Sequence, residues 1–169
     1  MSYSGFDLFI PVIWQYIQSY NKATDICAKK KLKEGLKDSL KKWSDQPVKM
    51  VSKKVFERCN QKSPSINPFN LEWMDRFLLN DKSFDKDIKK SWLVWEHTTP
   101  LNEFFKILIN CKNEIEVQVA LNGYSGVCWI SREEDNCLNK MKYRSHRPGG
   151  WLKCYNECGI EVIYSSSFN

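Results

Sequence analysis

Trp92-Leu93-Val94-Trp95-Glu96-His97-Thr98-Thr99-Pro100-Leu101 is the stretch on which the fold class turns. The apolar run at its start is short and carries Val and two Trp, so it reads as a buried strand that ends on an acid and an imidazole. Thr98-Thr99-Pro100 then reads as a helix start, with a threonine as N-cap and proline at the first helical position. A strand that runs straight into a helix, in a chain whose first third is helical, predicts an α+β fold.

Downstream, Leu101 to Cys111 has helical spacing, with Phe104, Phe105, Leu108 and Ile109 on the inward side. Ile115 to Leu121 alternates apolar and polar residues as a strand would, with a helix as the alternative. Asn122-Gly123-Tyr124 is a turn and Val127 to Ile130 a strand. Ser131 and Glu134 form a capping box that opens a helix expected to reach Tyr143. Arg147-Pro148-Gly149-Gly150 is a loop, Trp151 to Cys158 a helix with Gly159 just past its end, and Ile160 to Tyr164 a last strand.

Upstream, a helix is expected from near Ile10 to Tyr20, because Pro11 is tolerated only in a first turn. A second helix covers Ile26 to Trp43, with Leu32, Leu36, Leu40 and Trp43 as its apolar stripe and Gly35 as a weak point. Ser44 to Pro47 breaks it, and Val48 to Cys59 is a short helix or an irregular basic segment. Ser63 to Asn70, with its two prolines, is the best linker. Leu71 to Leu79 reads as a short amphipathic helix capped by Asn70, and Asp81 to Lys90 as a charged, exposed segment. The expected architecture is one domain over 1–169, a helical basic part (1–62) packed on a small β-sheet with helices (71–169).

Composition excludes several classes. Hydrophobic residues make up 42% of the chain and aromatics 14%, which supports a packed core and excludes a disordered chain. No apolar run approaches the roughly 18 residues a membrane span needs. The start lacks the basic and apolar regions of a signal peptide, so a cytoplasmic location without membrane partners is expected. The seven cysteines are scattered and form no Cys-x-x-Cys pair, as expected of reduced, structural thiols. Cys154 and Cys158 are four apart and would share a helix face.

Charge is uneven. Residues 1–62 hold 13 Lys and Arg against 6 Asp and Glu, a net of +7, while the other 107 residues hold 13 against 14, a net of −1. The excess lies along the second helix, at Lys29, Lys30, Lys31, Lys33, Lys37 and Lys41. One reading is a docking face for a nucleic-acid backbone; the other is a solvated helix face in a Lys-rich protein. Arg144, His146 and Arg147 form a second basic stretch suited to phosphate contact, against the alternative of a plain surface turn. Trp92, Trp95 and Trp129 could stack bases, but their spacing favours the core.

The Glu96-His97-Thr98-Thr99-Pro100 segment resembles the opening element of HNH-type (ββα-metal) nucleases, in which an Asp-His pair ends a strand and two residues and a proline follow. The likeness runs from Trp92 to about Lys140, with Glu96 in place of the Asp. It implies His97 as the general base that activates water against a phosphodiester. It further implies Glu96 as ligand of a divalent metal, Mg²⁺ or Mn²⁺, and Asn136 on the helix after the second strand as a further site residue. Glu133, Glu134 and Asp135 could feed the same metal or complement the helix dipole. Read without the resemblance, His97 caps the helix at Leu101 or hydrogen-bonds a backbone carbonyl at the strand end. Two functions therefore stand as expectations. The first is a nucleic-acid-binding protein, extending to a small metal-dependent HNH-like nuclease of phage or bacterial origin. The second is a non-catalytic inhibitor or scaffold, such as a phage counter-defence protein, that binds an acidic protein or nucleoprotein partner.

Overall fold

The computed structural model describes residues 9–44, 48–80, 91–124 and 126–165. It is an α+β fold, with seven α-helices and a four-stranded mixed sheet among the described residues. The chain forms two compact units. Among the described residues, the unit of Met1–Ser44 with Leu101–Ser125 contains only helices as regular elements, and the unit of Asp45–Pro100 with Gly126–Asn169 contains the four strands. The charged segment 81–90 lies outside the described residues, as do 45–47 at the expected helix break.

In the helical unit, α1 (Ile10–Lys22) begins with Pro11 in its first turn and buries Ile10, Ile13 and Ile17 at helical spacing. Helix α2 (Ile26–Ser44) starts where the Asp25 carboxylate accepts the Ala28 N–H at 2.7 Å. Leu36 and Leu40 of its stripe are fully buried, while Leu32 is half-buried. Gly35 marks a close approach: an added Cβ would sit 2.8 Å from the Tyr16 ring. Helix α4 (Leu101–Leu108) contributes Phe104, Phe105 and Leu108 to this core. The segment read as a strand at Ile115–Leu121 is helix α5 (Glu114–Asn122). Its cap overrides the alternation: the Asn113 side chain accepts the Glu116 N–H at 2.9 Å, and the Glu116 carboxylate accepts the Lys112 N–H at 2.8 Å. Val117 and Leu121, four apart, then face inward.

In the sheet unit the strand order is β2-β3-β1-β4, with β1 (Met50–Ser52), β2 (Leu93–His97), β3 (Val127–Ser131) and β4 (Val162–Tyr164). Strands β1 and β3 run parallel, and β2 and β4 pair antiparallel on the flanks. The three-residue β1 sits inside the segment read as helical or irregular, too short to show a period of two. Both parallel strands end on a serine that caps the following helix. Ser52 caps α3 (Lys53–Lys62) and Ser131 caps α6 (Arg132–Lys140). Glu134 ties the two caps together, accepting from the Ser52 hydroxyl at 2.8 Å and the Ser131 N–H at 2.7 Å.

Alternation sends Leu93, Trp95, Val127, Trp129 and Val51 to one apolar layer, beneath α3 and two 3-10 turns. Those turns, Pro68–Asn70 and Trp73–Phe77, replace the amphipathic helix expected over 71–79. Asn67 rather than Asn70 supplies a cap, accepting the Phe69 N–H at 3.0 Å. Val94, Cys128, Ile130 and Met50 face the other layer, with Leu138 of α6 and Tyr155 of α7 (Trp151–Glu157). Helix α6 stops at Lys140, short of Tyr143, because Lys142 turns left-handed at φ 63°. The Tyr143 N–H then bonds back to Leu138 O at 2.8 Å, which closes a Schellman turn.

Candidate functional site

Strand β2 delivers Glu96 and His97 to the end of the sheet where the chain leaves for α4 and returns at β3. Thr98 closes that end, its N–H and hydroxyl both donating to Gly126 O at 3.1 and 3.0 Å. In the β2–β3 register Glu96 lies opposite Cys128 and His97 opposite Val127. Adjacent strand residues point to opposite faces, so Glu96 enters the layer beneath α6 and α7 while His97 shares the face of Val127. His97 is half-buried.

Glu96 meets Arg147, 51 residues away in sequence, and the guanidinium donates to the carboxylate in an ion pair. Arg147 is 5% exposed, so this basic residue lies inside, apart from the exposed Arg144 and His146 of the same loop. Burial pushes the Glu96 carboxyl up to about 7, against the opposing pull of Arg147 and with Asp135 adding to the rise. Tyr155 lies in the same layer, fully buried with its hydroxyl unbonded, and burial drives its pKa upward. A buried carboxyl that titrates near neutrality is the most shifted carboxyl among the described residues, and such groups cluster where proteins do chemistry.

Asn136 is exposed on α6, whereas Leu138, two residues on, is buried in the sheet-facing side of that helix. Two residues turn a helix by about 200°, so Asn136 faces away from the layer that holds Glu96. Glu133 pairs with Lys54 and Asp135 with Arg132, while Glu134 joins the two helix caps. Among the described residues no group of three or more His, Cys, Asp and Glu side chains is placed to hold a metal ion. The Glu96 carboxylate is taken up by Arg147. Glu96, His97 and Asn136, the residues the resemblance implies, do not converge on one cation position among the described residues.

The lysines of α2 form the other candidate. Lys30, Lys31 and Lys41 are exposed, and Lys29, Lys33 and Lys37 half-buried. Aromatic rings seat two of them: the Lys29 ammonium lies 5.6 Å from the Tyr20 ring centre, and that of Lys33 lies 5.1 Å from Phe105. Lys33, Lys37 and Lys41 stack at four-residue steps. Partial burial, then repulsion from Lys33 and Lys41, holds the Lys37 pKa below its ordinary value. Asp38 answers Lys41 at 2.9 Å, an exposed pair of little weight. The tryptophans sit largely with the core: Trp129 is fully buried, its indole N–H donating to Leu71 O at 3.2 Å, and the Trp95 ring meets it edge-on at 4.8 Å.

The structure thus brings together Glu96 and Arg147, which sequence reasoning had placed in different roles, and sends Glu96, His97 and Asn136 in different directions. The meeting of Glu96 and Arg147 had no sequence signal. The lysine face of α2 was legible from its helical spacing. No protein-family model matches the chain, and neither a curated protein nor a solved structure matches it.

Proposed function

We propose that the protein binds nucleic acid through the phosphate backbone, with the lysines of α2 as the contact face. The observation that carries this reading is the row of cations on α2, with Lys33, Lys37 and Lys41 at four-residue steps beside the exposed Lys30 and Lys31. Cations held this close repel one another in the unbound protein, and a polyanion relieves that repulsion while releasing its counterions. The rings under Lys29 and Lys33 limit where two of the ammonium groups can go, which lowers the ordering cost of contact. Lysine offers a point charge without a planar fork, so the expected binding is salt-sensitive and indifferent to base sequence.

The test is fluorescence anisotropy with a labelled duplex and a labelled single strand across a salt series. Binding should weaken steeply with salt. The double substitution Lys30→Gln, Lys31→Gln should shallow the duplex slope by about 2, at about 0.9 per lost phosphate contact. An unchanged slope rejects the α2 face. Absence of binding at moderate salt favours instead the non-catalytic reading, an acidic protein partner.

A finer proposal is cleavage. The antiparallel β2–β3 pair that runs into α6 supports it, since that is the element order of the HNH-type resemblance. Here His97 is the base, and Glu96, held by Arg147, positions the strand end. Plasmid nicking in added Mg²⁺ or Mn²⁺, lost in His97→Ala, would establish cleavage; equal nicking by both proteins would remove His97 from the chemistry.

A further inference from the structure

The alternation over Ile115–Leu121 did not make a strand, yet it left its mark on helix α5. Residues two apart on a helix point about 200° from one another, so apolar residues at 115, 117, 119 and 121 form two stripes on opposite sides. Val117 and Leu121 make the buried stripe. Ile115 and Val119, four apart, make the other, and they are 71% and 66% exposed. Asn122 is exposed on their side, with Gln118 and Glu116 on the two flanks. The Glu116 carboxylate is turned back to the Lys112 N–H at the helix start. A helix at the surface ordinarily presents a polar outer face; apolar residues on both sides are the pattern of a helix with neighbours on both sides.

The place of α5 among its neighbours bears on what covers it. Helices α1 and α4 each pack on both α2 and α5, so α2 and α5 hold opposite corners of the helical unit. The lysines stand at one corner, and Ile115 and Val119 at the other. A chain of net charge +6 repels its own copies, most strongly where the lysines are gathered. Helix α5 contains no Lys or Arg, so two copies can meet there with their lysine faces turned away from each other. An acidic partner, by contrast, is drawn to the α2 corner and finds only Glu114 and Glu116 as charges on α5.

We propose that a second copy of this chain covers the outer face of α5, in a two-fold dimer that sets Ile115 and Val119 of each copy against the same residues of its mate. Such a patch is self-complementary, so the assembly closes at two. Two side chains per copy bury far less than the roughly 800 Å² per partner of a standard interface, so monomer and dimer exchange freely. The dimer does not depend on nucleic acid.

Sedimentation velocity of the full, reduced chain without nucleic acid, over a concentration series, is the test. The average mass should climb from 20.0 kDa toward twice that value, and the dimer should tighten as added salt screens the repulsion between copies. Ile115→Gln with Val119→Gln should raise the dissociation constant by about tenfold or more. Ile115→Ala with Val119→Ala, which favours the helix still more, should act in the same direction, and circular dichroism identifies which variants are folded. The proposal is overturned if the wild-type mass stays at 20.0 kDa up to about 1 mM, or if association weakens with salt. Equal dimerisation by either folded variant overturns it as well. The wild-type series stands without any variant, so a misfolded substitution does not blunt it.

Discussion

The core of the helical unit is built from Ile10, Ile13, Ile17, Leu36, Leu40, Phe104, Phe105, Leu108, Val117, Leu121 and Tyr124. The buried polar and charged side chains among the described residues are Ser52, Asn80, Ser91, Thr98, Ser131 and Arg147, and each belongs to the sheet unit. Backbone bonding explains the difference. A helix satisfies its own interior amides, so its core needs only apolar side chains. Short strands that end in helix starts and loops leave backbone groups to be answered by side chains. Ser52 and Ser131 cap, Thr98 closes the β2–β3 end, and the Asn80 side chain accepts the Trp92 N–H at 2.7 Å. Charge in the helical unit therefore stays at the surface, where the proposed polyanion contact needs it, while Glu96 and Arg147 are charged groups held inside, where they govern stability and proton affinity.

The contrast is easiest to break at the buried pair. Arg147→Met strands a carboxyl in the interior and should cost about 3–5 kcal/mol in urea unfolding, whereas Glu96→Leu with Arg147→Met should recover most of that loss. If the single substitution is near neutral, the pair is not the interior charge described here. Proton linkage is the next largest effect. The Glu96 pKa is raised in the fold, so between about 4.5 and about 7 the native state binds more protons than the unfolded chain. The stability it contributes is complete below that window and is lost as pH rises through about 7. Glu96→Gln should remove this part of the pH dependence in unfolding curves taken across the window; an unaltered profile would assign it elsewhere.

Smaller effects sharpen the same comparison. Lys142 holds a left-handed turn at the end of α6, where α7 uses Gly159 at φ 67°. Lys142→Gly should raise stability by about 1 kcal/mol, because glycine adopts that conformation without the Cβ clash. Lys30→Gln with Lys31→Gln should leave unfolding within about 0.5 kcal/mol of wild type. That result would show that the fold does not depend on the α2 face.

Segments with a strong local signal were legible. The Ser131–Glu134 capping box, the Leu36–Leu40 stripe and the strands around Val94 and Ile130 follow from short-range hydrogen bonding and periodicity. Where two local signals competed, the cap won: Asn113 and Glu116 made α5 out of an alternating segment. The short β1 had too few residues to announce itself, yet it holds the centre of the sheet between β3 and β4. At the candidate sites, the lysine face of α2 could be read because its residues are neighbours at helical spacing.

By itself the sequence determined the α+β class, most helix and strand positions and the concentration of positive charge on α2, since each depends on residues within a few turns of one another. Tertiary structure decided that Glu96 would meet Arg147 and that His97 would lie on the other sheet face. Those outcomes rest on strand register and on packing between distant segments, and a one-residue shift of register would reverse both.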